Sequence, residues 1–156
     1  LLVRADTPSL SVEHPLGTPV AAGAGVSFGV AAPQSPATRT FFLRNRSSVP
    51  LTISSLNSNS PEFVHGPISH VLIAPGTTAS FDVTFIPAGP GARSGVISVG
   101  SDDPATPLYQ FTVSGTQLVP TYNAATNAGL RLVLGAGPVD LAALTGATPP
   151  GGVFSG

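Results

Sequence analysis

Between Val71 and Pro104 the chain reads VLIAPGTTASFDVTFIPAGPGARSGVISVGSDDP, two alternating runs joined by a Pro/Gly-rich turn. In the first run Phe81, Val83 and Phe85 stand two apart, with Asp82 and Thr84 between them. On a pleated strand that spacing puts the large apolar side chains on one face and the polar ones on the other. Ala74-Pro75-Gly76-Thr77 opens the run, Pro presetting one turn dihedral and Gly supplying the next. Pro87, with no N–H for a ladder, closes it. In the second run Ile97 and Val99 alternate with Ser98. The turn residues of Pro87-Ala88-Gly89-Pro90-Gly91 predict that the two strands pair as neighbours. Half-buried strands of this kind begin a sandwich core.

The flanking sequence continues the pattern. Leu10 and Val12 alternate with Ser11 and Glu13 in an opening strand, and Val26 to Val30 form a second strand whose Pro-rich surroundings suit a sheet edge. Phe41 and Leu43 mark one face of a strand over 38–45; Phe42 breaks its polar side and reads as an exposed contact. Leu51 and Ile53 begin another strand, Phe63 plugs the core, and a run over 108–114 turns Tyr109, Phe111 and Val113 inward before Gly115 ends it. About eight short strands at regular spacing predict an all-β, immunoglobulin-like antiparallel β-sandwich of about 7–9 strands. It occupies residues 1–115, with a C-terminal extension over 116–156.

That extension differs in kind. Leu130, Leu132 and Leu134 alternate, Val139 and Leu141 belong to an apolar run, and Val153 and Phe154 follow a Pro/Gly stretch. Three readings stay open: an extra strand, an inter-subunit docking segment, or the start of a next domain.

Six arginines, no lysine and seven carboxylates are the whole charge complement, 8 % of the residues against about 25 % in an average soluble domain. Spread over a surface on the order of 7,000 Å2, that is roughly one charge per 500 Å2, which predicts apolar patches meant to be covered by protein. A net charge of −1 without a basic run lacks the footprint of a nucleic-acid binder. Apolar runs are broken well short of the roughly eighteen residues of a spanning helix. There is no cysteine, hence no disulfide or thiolate chemistry. Leu1 in place of Met reads as a processed product or fragment.

The order of these pieces resembles the bacterial choice-of-anchor D repeat, a relative of Hydin-like and major-sperm-protein-like immunoglobulin sandwiches. The resemblance rests on PSLSVEHPLGTPV, GVSFGV, RTFFLRN, LTISSL, PEF, LIAPGTTASFDVTFIP, GARSGVISVGSDDP and FTVSG, together spanning about 8–115. Arg46-Ser47 stands where such repeats more often carry Thr-Gly, and Phe42 where a polar residue is usual. The resemblance implies an extracellular or cell-envelope module without catalytic activity, commonly arranged in tandem in large surface proteins. It implies nothing for 116–156.

Motifs with possible chemistry read as structure. Gly25-Val26-Ser27-Phe28-Gly29 matches a nucleophile elbow in form, but that motif needs a helix after the serine, and none is predicted. Asp102 and Asp103 are the nearest approach to a calcium pair, yet in Ser-Asp-Asp-Pro they read as caps for turn N–H groups. His14, His65 and His70 fit no ligand spacing, and Asn45 is expected to bond the turn after its strand. No cofactor is expected. Without lysine, the Lys-to-Asn isopeptide crosslink found in surface adhesins is impossible.

The leading expectation is therefore a non-enzymatic extracellular structural or adhesive module. It would associate with its own copies or with neighbouring domains of a longer surface protein or filament, through strand edges and through Phe42, Leu130, Leu132, Leu134, Val139, Leu141, Val153 and Phe154. A carbohydrate-binding accessory module is a second reading, with only Tyr109 and Tyr122 and no Trp to form a platform. A cytoskeletal or ciliary scaffold is a third.

Overall fold

The computed structural model describes residues 6–33 and 35–118. Leu130, Leu132, Leu134, Val139, Leu141, Val153 and Phe154 lie outside them. The described residues form nine strands and no helix: β1 (Leu10–Glu13), β2 (Gly25–Ala31), β3 (Ala37–Asn45), β4 (Leu51–Ser58), β5 (Phe63–His65), β6 (Leu72–Ile73), β7 (Thr78–Phe85), β8 (Gly91–Ser101) and β9 (Leu108–Gln117). Two sheets, ordered β1-β3-β7-β5 and β2-β9-β8-β4-β6, make an immunoglobulin-like sandwich.

The alternation read from sequence is the alternation observed. Phe81, Val83 and Phe85 of β7 are buried, as are Phe41 and Leu43 of β3, Leu51 and Ile53 of β4, and Ile97 and Val99 of β8. Register then stacks rings between strands. Phe41 pairs with Phe81 across β3/β7 with centroids 5.6 Å apart, and Phe63 pairs with Phe85 across β5/β7 at 4.7 Å. Phe111 of the opposite sheet reaches Phe41 at 4.9 Å. Each ring removed from water contributes on the order of 2–3 kcal/mol, so this aromatic seam ties the two layers together. The turn before β7 has the expected form, with Gly76 at φ 72° and Thr77 N donating to Ala74 O.

Three expectations are corrected. First, β7 and β8 are not hydrogen-bonded neighbours: β7 lies in one sheet between β3 and β5, β8 in the other between β9 and β4. Both edges of β7 are occupied, so the Pro-rich segment after it carries the chain to the other sheet. Its exit is held by Glu62, which accepts Ile86 N–H at its backbone carbonyl and Ala88 N–H at its side chain.

Second, the sandwich is not wholly antiparallel, because β2 runs parallel to β9 along the sheet edge. The chain leaves β1 in one sheet and crosses to the far edge of the other, which sets β2 beside β9 in the same direction.

Third, Gly115 does not end its strand. β9 continues to Gln117, and Leu118 N still donates to Ala31 O. A Cβ on Gly115 would lie 2.5 Å from the Phe85 ring, so the glycine marks close approach between the sheets, where a terminator was expected.

Candidate functional site

The chemistry-bearing side chains are mostly structural. Glu13 belongs to the outward phase of β1 yet is fully buried. Its carboxylate accepts from Arg44 Nε at 2.8 Å and Arg46 Nη2 at 2.9 Å, and Gly17 N–H of the following loop closes over it at 2.8 Å. Burial alone would push this carboxyl up. The Gly17 N–H and the two guanidinium groups outweigh it and hold Glu13 below its ordinary value. The cluster fastens the β1–β2 loop against β3. Asn45, fully buried, donates to Val49 O and Ile73 O and accepts from Ser47, bonding the turn after its strand.

Asp102 and Asp103 use their oxygens on backbone N–H groups. Asp103 is buried and accepts from Leu10 N at 2.9 Å and Ala105 N at 2.8 Å, while Asp102 accepts from Thr52 N at 2.8 Å. The β8–β9 loop is thereby sewn to the starts of β1 and β4. Ser27 is exposed on an edge strand, its hydroxyl accepting from Gly29 N, and no helix follows it. His65, the last residue of β5, bonds the adjoining Gly66 carbonyl, and His70 bonds the neighbouring Ser69 hydroxyl. Among the described residues no three His, Asp or Glu side chains gather into a metal-binding group.

Phe42, expected as an exposed contact, is half-buried on the outer face of its sheet between Glu13 of β1 and Ser80 of β7.

A different surface has the makings of a binding site. β6 pairs with only Leu51 and Thr52 of β4, and β5 pairs with β7 on one side alone. Beyond these short pairings, β4 and β5 flank a groove of about 360 Å3 lined by Ile53, Leu56, Pro67, Ile68 and Val71. Val71 and Leu72 are 55 % and 60 % exposed, and Val64 on β5 is 47 % exposed. This is a mostly apolar cleft between two strand edges, on whose wall Ile53 N–H already donates to Val71 O, and an apolar cleft beside strand edges can take up an extended segment. The sequence carried a sign of it: Val71, Leu72 and Ile73 are contiguous, so alternation can bury only some of them, and only Ile73 is buried.

No family model matches the chain. No curated protein matches it by sequence. Solved structures do match by shape. A protein of unknown function from Porphyromonas gingivalis W83 superposes with TM-score 0.59 at 18 % identity, over 74 % of this chain and 49 % of that one. The chain thus spans about half the length of that bacterial protein. The ASH/PapD-like domain 7 of human CEP192 superposes with TM-score 0.54 at 15 % identity, over 77 % of this chain and 92 % of that domain. VesB protease of Vibrio cholerae is similar over 72 % of this chain but 32 % of its own, with TM-score 0.50 and 12 % identity. At these identities the likeness is one of fold, and the described residues form an immunoglobulin-like β-sandwich similar in shape to that PapD-like domain.

Proposed function

We propose that this chain is a non-enzymatic structural module of an extracellular or cell-surface protein, of the choice-of-anchor D kind, that associates with further copies of itself or with neighbouring domains. The groove between β4 and β5 carries this reading. It is apolar, it is flanked by strand edges, and it lies on a chain whose charge is 8 % of its residues. Main-chain ladder bonds plus apolar burial give such a contact strength without charged side chains. The segment with Leu130, Leu132 and Leu134 is the proposed added strand, supplied by a second copy, with Val139, Leu141, Val153 and Phe154 covering further apolar surface. Asp103, Asp102 and Glu13 are engaged in holding loops, which favours a scaffold over a catalyst.

Sedimentation velocity of the full chain over a wide concentration range tests the proposal. Concentration-dependent assembly that is lost both in Val71→Asp and in Leu132→Asp is the expected result. A chain that stays monomeric throughout, or assembly indifferent to both substitutions, would refute it.

A further inference from the structure

On the opposite side of the sandwich from the groove, β3 is longer than its edge partner. The β1/β3 register runs from Leu10↔Asn45 to Glu13↔Phe42, so Ala37 to Phe41 has a ladder partner only on its β7 side. The reason is in the sequence. Carried on, that register would place Pro15 opposite Thr40, and Pro15 has no N–H to donate. The His14 ring supplies the missing donor: its Nδ1 lies 2.8 Å from Thr40 O. Beyond that point the chain turns away, through Thr18 N donating to Pro15 O, and crosses to the other sheet. Thr38 and Thr40 are left exposed on an unpaired strand edge.

The residue between them is a cation with no counter-charge among the described residues. Arg39 shares the inward phase of Phe41 and Leu43, half-buried at the mouth of the sandwich with its guanidinium 5.6 Å over the Phe28 ring. Arg44, Arg46 and Arg93 each hold a carboxylate. Arg39 has none among the described residues; its polar contact is His14 Nε2 at 3.1 Å. A guanidinium only donates, so Nε2 accepts and Nδ1 carries the proton given to Thr40 O. Arg39 is thus pinned by a histidine on one side and an aromatic face on the other, and among the described residues its guanidinium makes a single hydrogen bond.

We propose that this edge of β3 is a second docking site, specific for an extended segment of a partner protein that carries an Asp or Glu. A strand laid along Thr38 to Thr40 would meet the outward N–H and C=O of Thr38 and the N–H of Thr40, whose carbonyl His14 already holds, and its residue opposite Arg39 would project to the same inward face at cross-strand distance. A carboxylate there completes the fork with charge-assisted bonds, and an amide in its place does not. The site is separate from the β4/β5 groove, and its failure would leave the assembly reading untouched.

The test is an NMR titration of the isotopically labelled full chain with the peptide acetyl-TVTDTVT-amide and with its Asn counterpart. The expected result is binding of the acidic peptide with shifts centred on the Thr38, Arg39 and Thr40 amides, weaker by about tenfold or more for the Asn peptide. Arg39→Gln should erase the difference between the peptides. Thr38→Pro, which removes an outward N–H while sparing the β7 ladder, should abolish binding of both. If Arg39→Gln unfolds the chain, Arg39→Lys keeps the stem on Phe28 and should still lose most of the preference, because an ammonium lacks the fork. Equal affinity for the two peptides, shifts centred elsewhere, or no binding at millimolar peptide would overturn the proposal.

Discussion

Gly115→Ala isolates one contact between the sheets. The added Cβ would stand 2.5, 2.7 and 3.0 Å from three carbons of the Phe85 ring, against an ordinary carbon–carbon separation of about 3.5–4.0 Å. The ring has nowhere to go: Phe85 is fully buried, stacked on Phe63 at 4.7 Å and edge-on to Phe28 at 6.3 Å. Overpacking of a close-packed core costs about 1–3 kcal/mol. Replacing a strand glycine by alanine returns roughly 0.5–1 kcal/mol of backbone entropy. At the middle of both ranges the net is a loss of about 1.3 kcal/mol, read in a thermal melt as a fall of roughly 5 °C in Tm for a domain of this size. Gly25→Ala is the internal control, because Gly25 has negative φ and nothing within 4 Å of its Cβ position; its Tm should change by no more than about 2 °C. Phe85→Leu, costly alone, should be less than additive with Gly115→Ala, since the smaller side chain leaves room for the methyl. An unchanged Tm for Gly115→Ala, or an equal fall for Gly25→Ala, would refute the close-approach argument.

Glu13 should give the fold an acid-sensitive fastening. Its folded pKa lies below its ordinary value, so the stabilisation is present above pH 4.5 and is lost as pH falls through the lower folded value. In denaturant melts, Glu13→Gln should therefore lower stability at pH 7 by about 2–4 kcal/mol and reduce the acid-side slope; parallel pH profiles for the two proteins would contradict this. Asp103→Ala strips acceptors from Leu10 N and Ala105 N, and should cost on the order of 2 kcal/mol with amide exchange accelerated first in β1. Because both Asp103 oxygens and one Asp102 oxygen are taken by backbone donors, millimolar calcium should leave the Tm of the wild-type chain within about 1 °C of its value in chelator; a larger rise would show a site that those bonds do not describe.

Much of this was legible in the chain. Period-two alternation is a local property, readable wherever a strand has one wet and one dry face, and it put Phe41, Leu43, Phe81, Val83, Phe85, Ile97 and Val99 inward. Punctuation was equally local: Pro75-Gly76 turns as expected, and β2 lies at a sheet edge. The groove was less visible, because it depends on how short β5 and β6 are, and their lengths follow from which neighbours the sheet provides.

Glu13 and Arg39 show where local reading ends. Alternation assigns Glu13 to solvent and Arg39 to the core, yet Glu13 is sealed beneath Gly17, Arg44 and Arg46, while Arg39 stands at an open mouth with no carboxylate partner among the described residues. Side-chain phase depends on a residue and its immediate neighbours, so the amino-acid order settles which face each strand turns inward. Strand partnership depends on residues far apart in the chain. Whether β7 meets β8, whether β2 runs parallel to β9, and which charges find a counter-charge were therefore settled by the folding of one sheet onto the other.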